Sequence, residues 1–373
     1  MAVCKVSDKV TRILHVLASL DRAGAETMLM NIYRSLDRNK VQFDFVVEER
    51  SAEYAFEKEV RSLGGRVFYS PKPTFFKIGR YIQFWWKLFS DHTEYQIIHA
   101  HHTSPAFLYL SLAKMKSRKT LAHSHISGGE KSFKTLLKRI SRFPLRYIAD
   151  KLVACSGPAA TWMFGGKGDV LILKNAIDIS SFHYTDSKRL STQQRYNISG
   201  APVILHVGRF DNQKNHYFLI DAFKFYLGES DAAKLYLIGE GPLKASVEAY
   251  VLKLGLKNNV FFVGVSSDIQ SWMCAADVFL FPSKYEGLGL VLIEAQGAGL
   301  PCVVSNGVPR EVGVTELVTF LPLKGGLQAW ASAIDRAYRM TNERSEVQGL
   351  SESGYDVRDT SKLLIETYEE MVS

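Results

Sequence analysis

Four cysteines in 373 residues, Cys4, Cys155, Cys274 and Cys302, are too few and too scattered for a disulfide framework. They fit reduced thiols of a cytosolic protein. No segment approaches the roughly 18 uninterrupted apolar residues of a membrane span. The opening residues, MAVCKVSDKVTR, lack the apolar core and cleavage site of a secretory leader. There is no low-complexity tract and no repeat of short period. No Walker pattern occurs, and no glycine fingerprint follows the first strand. These absences argue against an NTPase and against an ordinary nicotinamide dehydrogenase.

What remains is an ordinary soluble composition, 46% apolar and 23% charged, in a length that suits two domains. The net charge of +8 is unevenly spread. Residues 1–185 hold 28 Lys+Arg against 16 Asp+Glu, and the remainder holds 18 against 22. A basic half beside a mildly acidic one suggests an anionic partner.

Short β-rich apolar runs alternate with helical patterns. Strands are expected at 12–17, 43–47, 97–100, 120–124 and 151–155, with helices at 25–36, 53–63, 104–116 and 131–148 between them. A second series has strands at 203–208, 234–239, 260–264, 278–283 and 301–305, with helices at 215–227, 243–255, 290–299 and 327–341. Two such series predict two α/β domains with parallel sheets, binding ligands at the carboxyl ends of strands and in the cleft between the domains. The polar stretch 179–200 is the expected boundary. It separates domains at 1–185 and 186–356, with a C-terminal helix at 357–373 able to pack back on the first.

The most informative stretch is Phe281–Gln296, FPSKYEGLGLVLIEAQ. A buried strand runs into the turn Gly287-Leu288-Gly289 and then into a helix. That geometry presents free backbone N–H groups to a phosphate. Glu286 falls in the turn and Glu294 about one turn into the helix, leaning back toward the same ligand. A helix with two incidental glutamates would read the same way. In HVGRFDNQKNH, Gly208 admits a close ligand, and Arg209 and Lys214 point two cations at the same strand end. The turn GEGPL (239–243) closes the next strand. In the first half, Ala23-Gly24-Ala25 precedes a helix and could admit a phosphate, although Asp21 as a plain cap explains it equally well. His123 and His125 share a face at a strand end. They could meet a sugar hydroxyl, and no carboxylate or cysteine completes a metal set with them. HAHH (99–102) is a similar strand end of lesser weight. Residues 131–147 carry Lys131, Lys134, Lys138, Arg139, Arg142 and Arg146 with no acid, interleaved with Phe133, Leu136, Leu137, Ile140 and Phe143. This pattern suits a helix on an anionic membrane, or a basic outer face over its own sheet. No nucleic-acid-binding motif accompanies the charge.

Taken together, HVLASLDRAGAETMLMNIYRSLDR (15–38), FDFVV, RSLGGRVF, AHSH, KNAID (174–178), VGRFDNQKNH (207–216), LIGEGPL and PSKYEGLGLVLIEAQGAGLP (282–301) resemble retaining glycosyltransferases of family 4, of the type that builds bacterial exopolysaccharide and capsule. The resemblance implies the GT-B fold, two Rossmann-like domains facing across a cleft. It implies a nucleotide diphosphate sugar as donor, UDP by the family's habit, and a lipid-linked or polysaccharide acceptor. It implies no cofactor, no metal and no nucleic acid. It places Arg209 and Lys214 on the diphosphate, Glu294 on the ribose and Glu286 on the donor sugar, with Gly287 and Leu288 as backbone donors. His125 matches the histidine near donor sugar and acceptor, with His123 as the other register, and Gly24 matches the N-terminal glycine loop. A cytoplasmic protein, peripheral on the inner face of the membrane, would follow. The sequence departs from the family where Gly289 replaces a common proline and Ala23 a common glycine. These departures are the ground for an alternative, a non-catalytic sugar-nucleotide-binding subunit of a polysaccharide assembly complex.

Overall fold

A computed structural model describes residues 10–373 apart from 22, 102–104, 126–142, 167, 199–201, 229–230, 342–343, 345–348 and 351. The chain forms two compact units, Met1–Ala176 with Val357–Ser373, and Ile177–Asp356.

In the first unit, β1 (Thr11–Val16), β2 (Val41–Glu48), β3 (Val67–Ser70), β4 (Ile97–Ala100), β5 (Lys119–Ser124), β6 (Lys151–Ala154) and β7 (Val170–Ile172) lie in the order β3-β2-β1-β4-β5-β6-β7. Every pairing is parallel. Such a sheet is covered on both faces, so its central strands read as unbroken apolar runs. In the second unit, β8 (Val203–Val207), β9 (Lys234–Ile238), β10 (Val260–Gly264), β11 (Val278–Phe281), β12 (Cys302–Ser305) and β13 (Val318–Leu321) lie in the order β10-β9-β8-β11-β12-β13, again all parallel. Both orders reverse direction at one place, between β1 and β4 and between β8 and β11. The carboxyl ends of those strands are the switch points where α/β sheets bind ligands.

The strands absent from the sequence expectation, β3, β7 and β13, are all at sheet edges and only three or four residues long. Such runs are too short for periodicity to register. The helix Ile78–Asp91 was also not expected.

The boundary requires correction. The first domain was expected to end at 185 in a polar stretch without periodicity, but the second unit begins at Ile177. Within 179–200 stand two helices, Ile179–Phe182 and Asp186–Arg195. The second buries little apolar surface. Its hold is polar: Arg189 Nη2 meets Asp277 Oδ1 at 2.6 Å and Gln193 Nε2 donates to Ala275 O at 3.2 Å. Apolar periodicity carries no sign of such anchoring.

The last helix, Val357–Val372, belongs to the first unit. Its Val357, Leu364 and Tyr368 join that unit's core, and Ser361 Oγ lies 2.6 Å from Ser35 Oγ on the helix Gly24–Ser35. Of the basic stretch 131–147, residues 131–142 lie outside the described residues. Beyond them, Leu145–Ile148 is a short helix.

Candidate functional site

In the second unit, the loops after β8 and β11 are laced together. Asp211 Oδ1 accepts from the amides of Gln213 and Lys214 at 3.0 and 3.1 Å, a side-chain turn typical of aspartate. Asn215 takes a left-handed φ of 60°, which asparagine tolerates, and opens the helix His216–Leu227. Its Nδ2 donates to Pro282 O at 3.2 Å, while Lys284 N donates to Gln213 O at 2.8 Å. The two loops are therefore tied directly to each other.

Three glycines make this packing possible. A Cβ on Gly208 would stand 3.1 Å from the Lys214 stem, one on Gly239 would stand 2.1 Å from Gly208 O, and one on Gly307 would stand 2.2 Å from Lys284 O. The GEGPL turn is thus a floor against which the 208–210 backbone lies. Residue spacing in GxG is too weak a signal to have shown this.

Lys214 Nζ meets Glu286 Oε1 at 2.7 Å, and Gln213 Nε2 donates to Glu286 Oε2 at 3.0 Å. The Glu286 side chain is only 6% exposed. Two residues assigned to different parts of one ligand are therefore partners of each other in this structure. Gln213 was not singled out in the sequence, and only the tertiary contact reveals it. Arg209 is exposed and has no acidic partner among the described residues. The amides of Gly287 and Leu288 donate to no group among the described residues. Gly289 is the N-cap of the helix Leu290–Gly297 with φ +83°. Proline, fixed near −65°, cannot take that angle. Gly289 thus gives the helix a left-handed entry that proline could not make. Glu294, the fifth residue of the helix, has no partner among the described residues. Burial pushes its carboxyl up to about 7.

The first unit's switch point is different. His15, His99 and His123 lie in β1, β4 and β5, and His101 and His125 stand just beyond the last two. His15 Nδ1 is 3.0 Å from His101 Nε2, and His101 Nδ1 is 2.8 Å from His125 Nε2. His99 Nδ1 is 2.6 Å from Tyr368 Oη. The rings of His123 and His125 are in contact, with centroids 4.0 Å apart. Desolvation lowers all five, His15 to about 3 and His125 to about 4, the latter held back by Asn175. All are neutral at pH 7. In the His15–His101–His125 chain each bond needs one donor and one acceptor, so the three tautomers are fixed together. Sequence reasoning found His123 and His125, gave HAHH little weight and missed His15. The register of β1, β4 and β5 brings all five together.

Two triads, His15-His99-His101 and His101-His123-His125, bring ring nitrogens within 4.8 Å of one another. No carboxylate or thiolate among the described residues completes either triad, and a dication there would be buried without a counter-charge. Gly24 begins its helix with nothing within 4 Å of an added Cβ, so its local backbone does not demand glycine.

The two halves match two family models, "Glycosyltransferase Family 4" over residues 22–181 and "Glycosyl transferases group 1" over residues 201–340. EpsF of Bacillus subtilis (strain 168), a glycosyltransferase by name, is 33% identical over 371 residues, 96% of each chain. An Escherichia coli UDP-Gal:alpha-D-GlcNAc-diphosphoundecaprenol alpha-1,3-galactosyltransferase is 29% identical over 141 residues, 37% of this chain and 36% of its own. Among solved structures, Anabaena HepE (Alr3699) in complex with UDP superposes with a TM-score of 0.78 at 20% identity, over 96% of this chain and all of the other. At that identity the likeness speaks for the fold. Full-length similarity to EpsF, with a family model on each half, establishes that the chain belongs to glycosyltransferase family 4 and has the GT-B fold.

Proposed function

We propose that the protein transfers a sugar from a nucleotide diphosphate sugar to a hydroxyl acceptor, with retention at the anomeric carbon and without a metal. The carrying observation is the second unit's switch point, where Lys214, Glu286, the exposed Arg209 and the unpaired Glu294 flank two free amides. Donor binding replaces the Lys214–Glu286 contact. Lys214 and Arg209 turn to the diphosphate, joined by the amides of Gly287 and Leu288 and the helix N-terminus. Glu286 turns to the donor sugar, and Glu294 accepts hydrogen bonds from the ribose hydroxyls. Gly208 keeps the backbone close to the diphosphate. The first unit supplies His125 as a neutral hydrogen-bonding partner for a substrate hydroxyl, and Gly24 as an unencumbered backbone position.

As the bond from the anomeric carbon to the diphosphate breaks, negative charge grows on the departing oxygen. Preorganised cations and amides stabilise that charge, usually the largest catalytic effect. The acceptor oxygen forms its bond on the face the diphosphate leaves, and the departing phosphate takes the acceptor's proton. UDP as the nucleotide is supported by HepE, which was crystallised with UDP and with UDP-glucose. A lipid-linked acceptor is supported by the E. coli relative's diphosphoundecaprenol substrate. Exopolysaccharide or capsule assembly at the inner face of the membrane fits both.

A thermal-shift screen of UDP, GDP and their sugars tests donor binding, because a ligand of the folded state raises the melting temperature. A shift with UDP-sugars in the parent and none in Arg209→Ala/Lys214→Ala is expected. Full transfer by that double variant would refute the assignment. Product formation by the purified chain would separate an enzyme from a silent binding subunit.

A further inference from the structure

The helix Ile78–Asp91 buries Tyr81, Trp85, Leu88 and Phe89 in the first unit. Its outer side is not polar. Ile78, Ile82 and Trp86, each four residues apart, form an outward stripe at 37%, 38% and 43% exposure. Phe76, just before the helix, is 95% exposed. Lys116 Nζ stands 4.0 Å over the Trp86 ring. Single exposed apolar side chains are ordinary, but a contiguous row with two aromatics is not.

Next to the stripe is a cavity of about 410 Å³ lined by Glu49, Arg50, Lys72, Thr74, Lys77 and Arg80, among others. Arg50 is bound to Asp21 at 2.7 Å, and Arg80 lies 3.9 Å from Glu49. Lys72, Lys77 and Lys116 have no acidic partner among the described residues. The same face therefore offers rings, aliphatic side chains and uncompensated ammonium groups. A second copy of the chain covering the stripe would also bury these unpaired ammonium groups, which is costly unless the copy brings carboxylates to them. A bilayer interface satisfies both halves, with rings and aliphatic groups at headgroup depth and cations at lipid phosphates.

We propose that this face docks the first unit on an anionic lipid bilayer. Phe76, Ile82 and Trp86 enter the headgroup boundary, and the cavity at Lys72, Lys77 and Arg80 takes a lipid phosphate. The surface is built from residues other than 131–147, and the proposal does not depend on the transfer reaction proposed above.

Co-sedimentation of the full chain with phosphatidylcholine vesicles, alone or mixed with phosphatidylglycerol, tests this. Binding to the anionic vesicles is expected to be about tenfold tighter or more, and to weaken with salt. Phe76→Ser/Trp86→Ser and Lys72→Glu/Lys77→Glu should each lower it about tenfold or more, with an unchanged melting temperature because the side chains are exposed. The proposal is overturned if the parent ignores anionic vesicles or binds both kinds equally. It is also overturned if both variants bind like the parent and only charge reversal at Lys134, Lys138 and Arg142 abolishes binding. Dimers that Trp86→Ser disperses, without vesicle binding, would assign the stripe to a second copy and overturn it too.

Discussion

The two units share a sheet order and even a central-strand sequence, Ile-Leu-His-Val at 13–16 in β1 and again at 204–207 in β8. Both histidines are fully buried and driven neutral. Past these strands the units diverge. The first surrounds His15 with four more histidines, of which His101 and His125 bond along the His15 chain, His99 bonds to Tyr368 and His123 packs ring against ring. The second ties His206 Nδ1 to Leu280 O at 2.8 Å and fills its strand ends with glycines, cations and carboxylates. The fold decides where a site can be. The side chains at the strand ends decide what it can bind.

The largest expected effect falls on the charged side. Arg209→Ala/Lys214→Ala should lower turnover roughly a thousandfold, about 4 kcal/mol of barrier, read from initial rates. The single variants separate binding from folding. Arg209→Ala should leave the melting temperature almost unchanged, whereas Lys214→Ala should cost about 2–3 kcal/mol in a denaturant titration. It strands the buried Glu286 carboxylate with Gln213 alone. Equal stability of the two would break the contrast between a free and a paired cation. Gly239→Ala comes next. Its Cβ would sit against the Gly208 carbonyl, so a loss of about 3 kcal/mol or more is expected from the same titration.

The histidine side should show itself through acid. A histidine with a depressed folded pKa leaves the unfolded chain binding more protons below pH 6.5, so stability falls as pH drops. His15 and His125 should each account for about 2 kcal/mol lost between pH 6.5 and 5. Replacing His125 with Gln should flatten that dependence, as measured by unfolding at several pH values. An unchanged slope would place the cluster's titration elsewhere.

Glu294 has the opposite sign. Its folded pKa near 7 exceeds the ordinary value, so its contribution to stability is greatest at low pH and lost as pH rises toward 7. Nucleotide binding that needs its carboxylate should strengthen about tenfold from pH 6 to 8, and Glu294→Gln should abolish that gain in calorimetry. The smallest effect is expected at Gly24, where Ala meets open space and should change stability by no more than about 1 kcal/mol, with thermal melting as the check.

The central strands, the helices that follow the switch points and the charged residues near them were legible in the sequence. Buried parallel strands leave unbroken apolar runs, and Gly208-Arg209 and Glu286-Gly287 lie within a few residues of such runs. The edge strands β3, β7 and β13 were not legible, because three or four half-covered residues carry no period, whereas the five-residue edge strand β10 was. Nor was the helix Asp186–Arg195, held by Arg189 on Asp277 rather than by an apolar stripe. The sequence alone determined two α/β units, the family and the residue types at each strand end, since local pattern and composition suffice for these. Only the tertiary structure decided that Lys214 holds Glu286, that Gly239 supports Gly208 and that five histidines from three strands form one cluster. These are contacts across tens of residues, set by strand register and loop packing, and no local pattern encodes them.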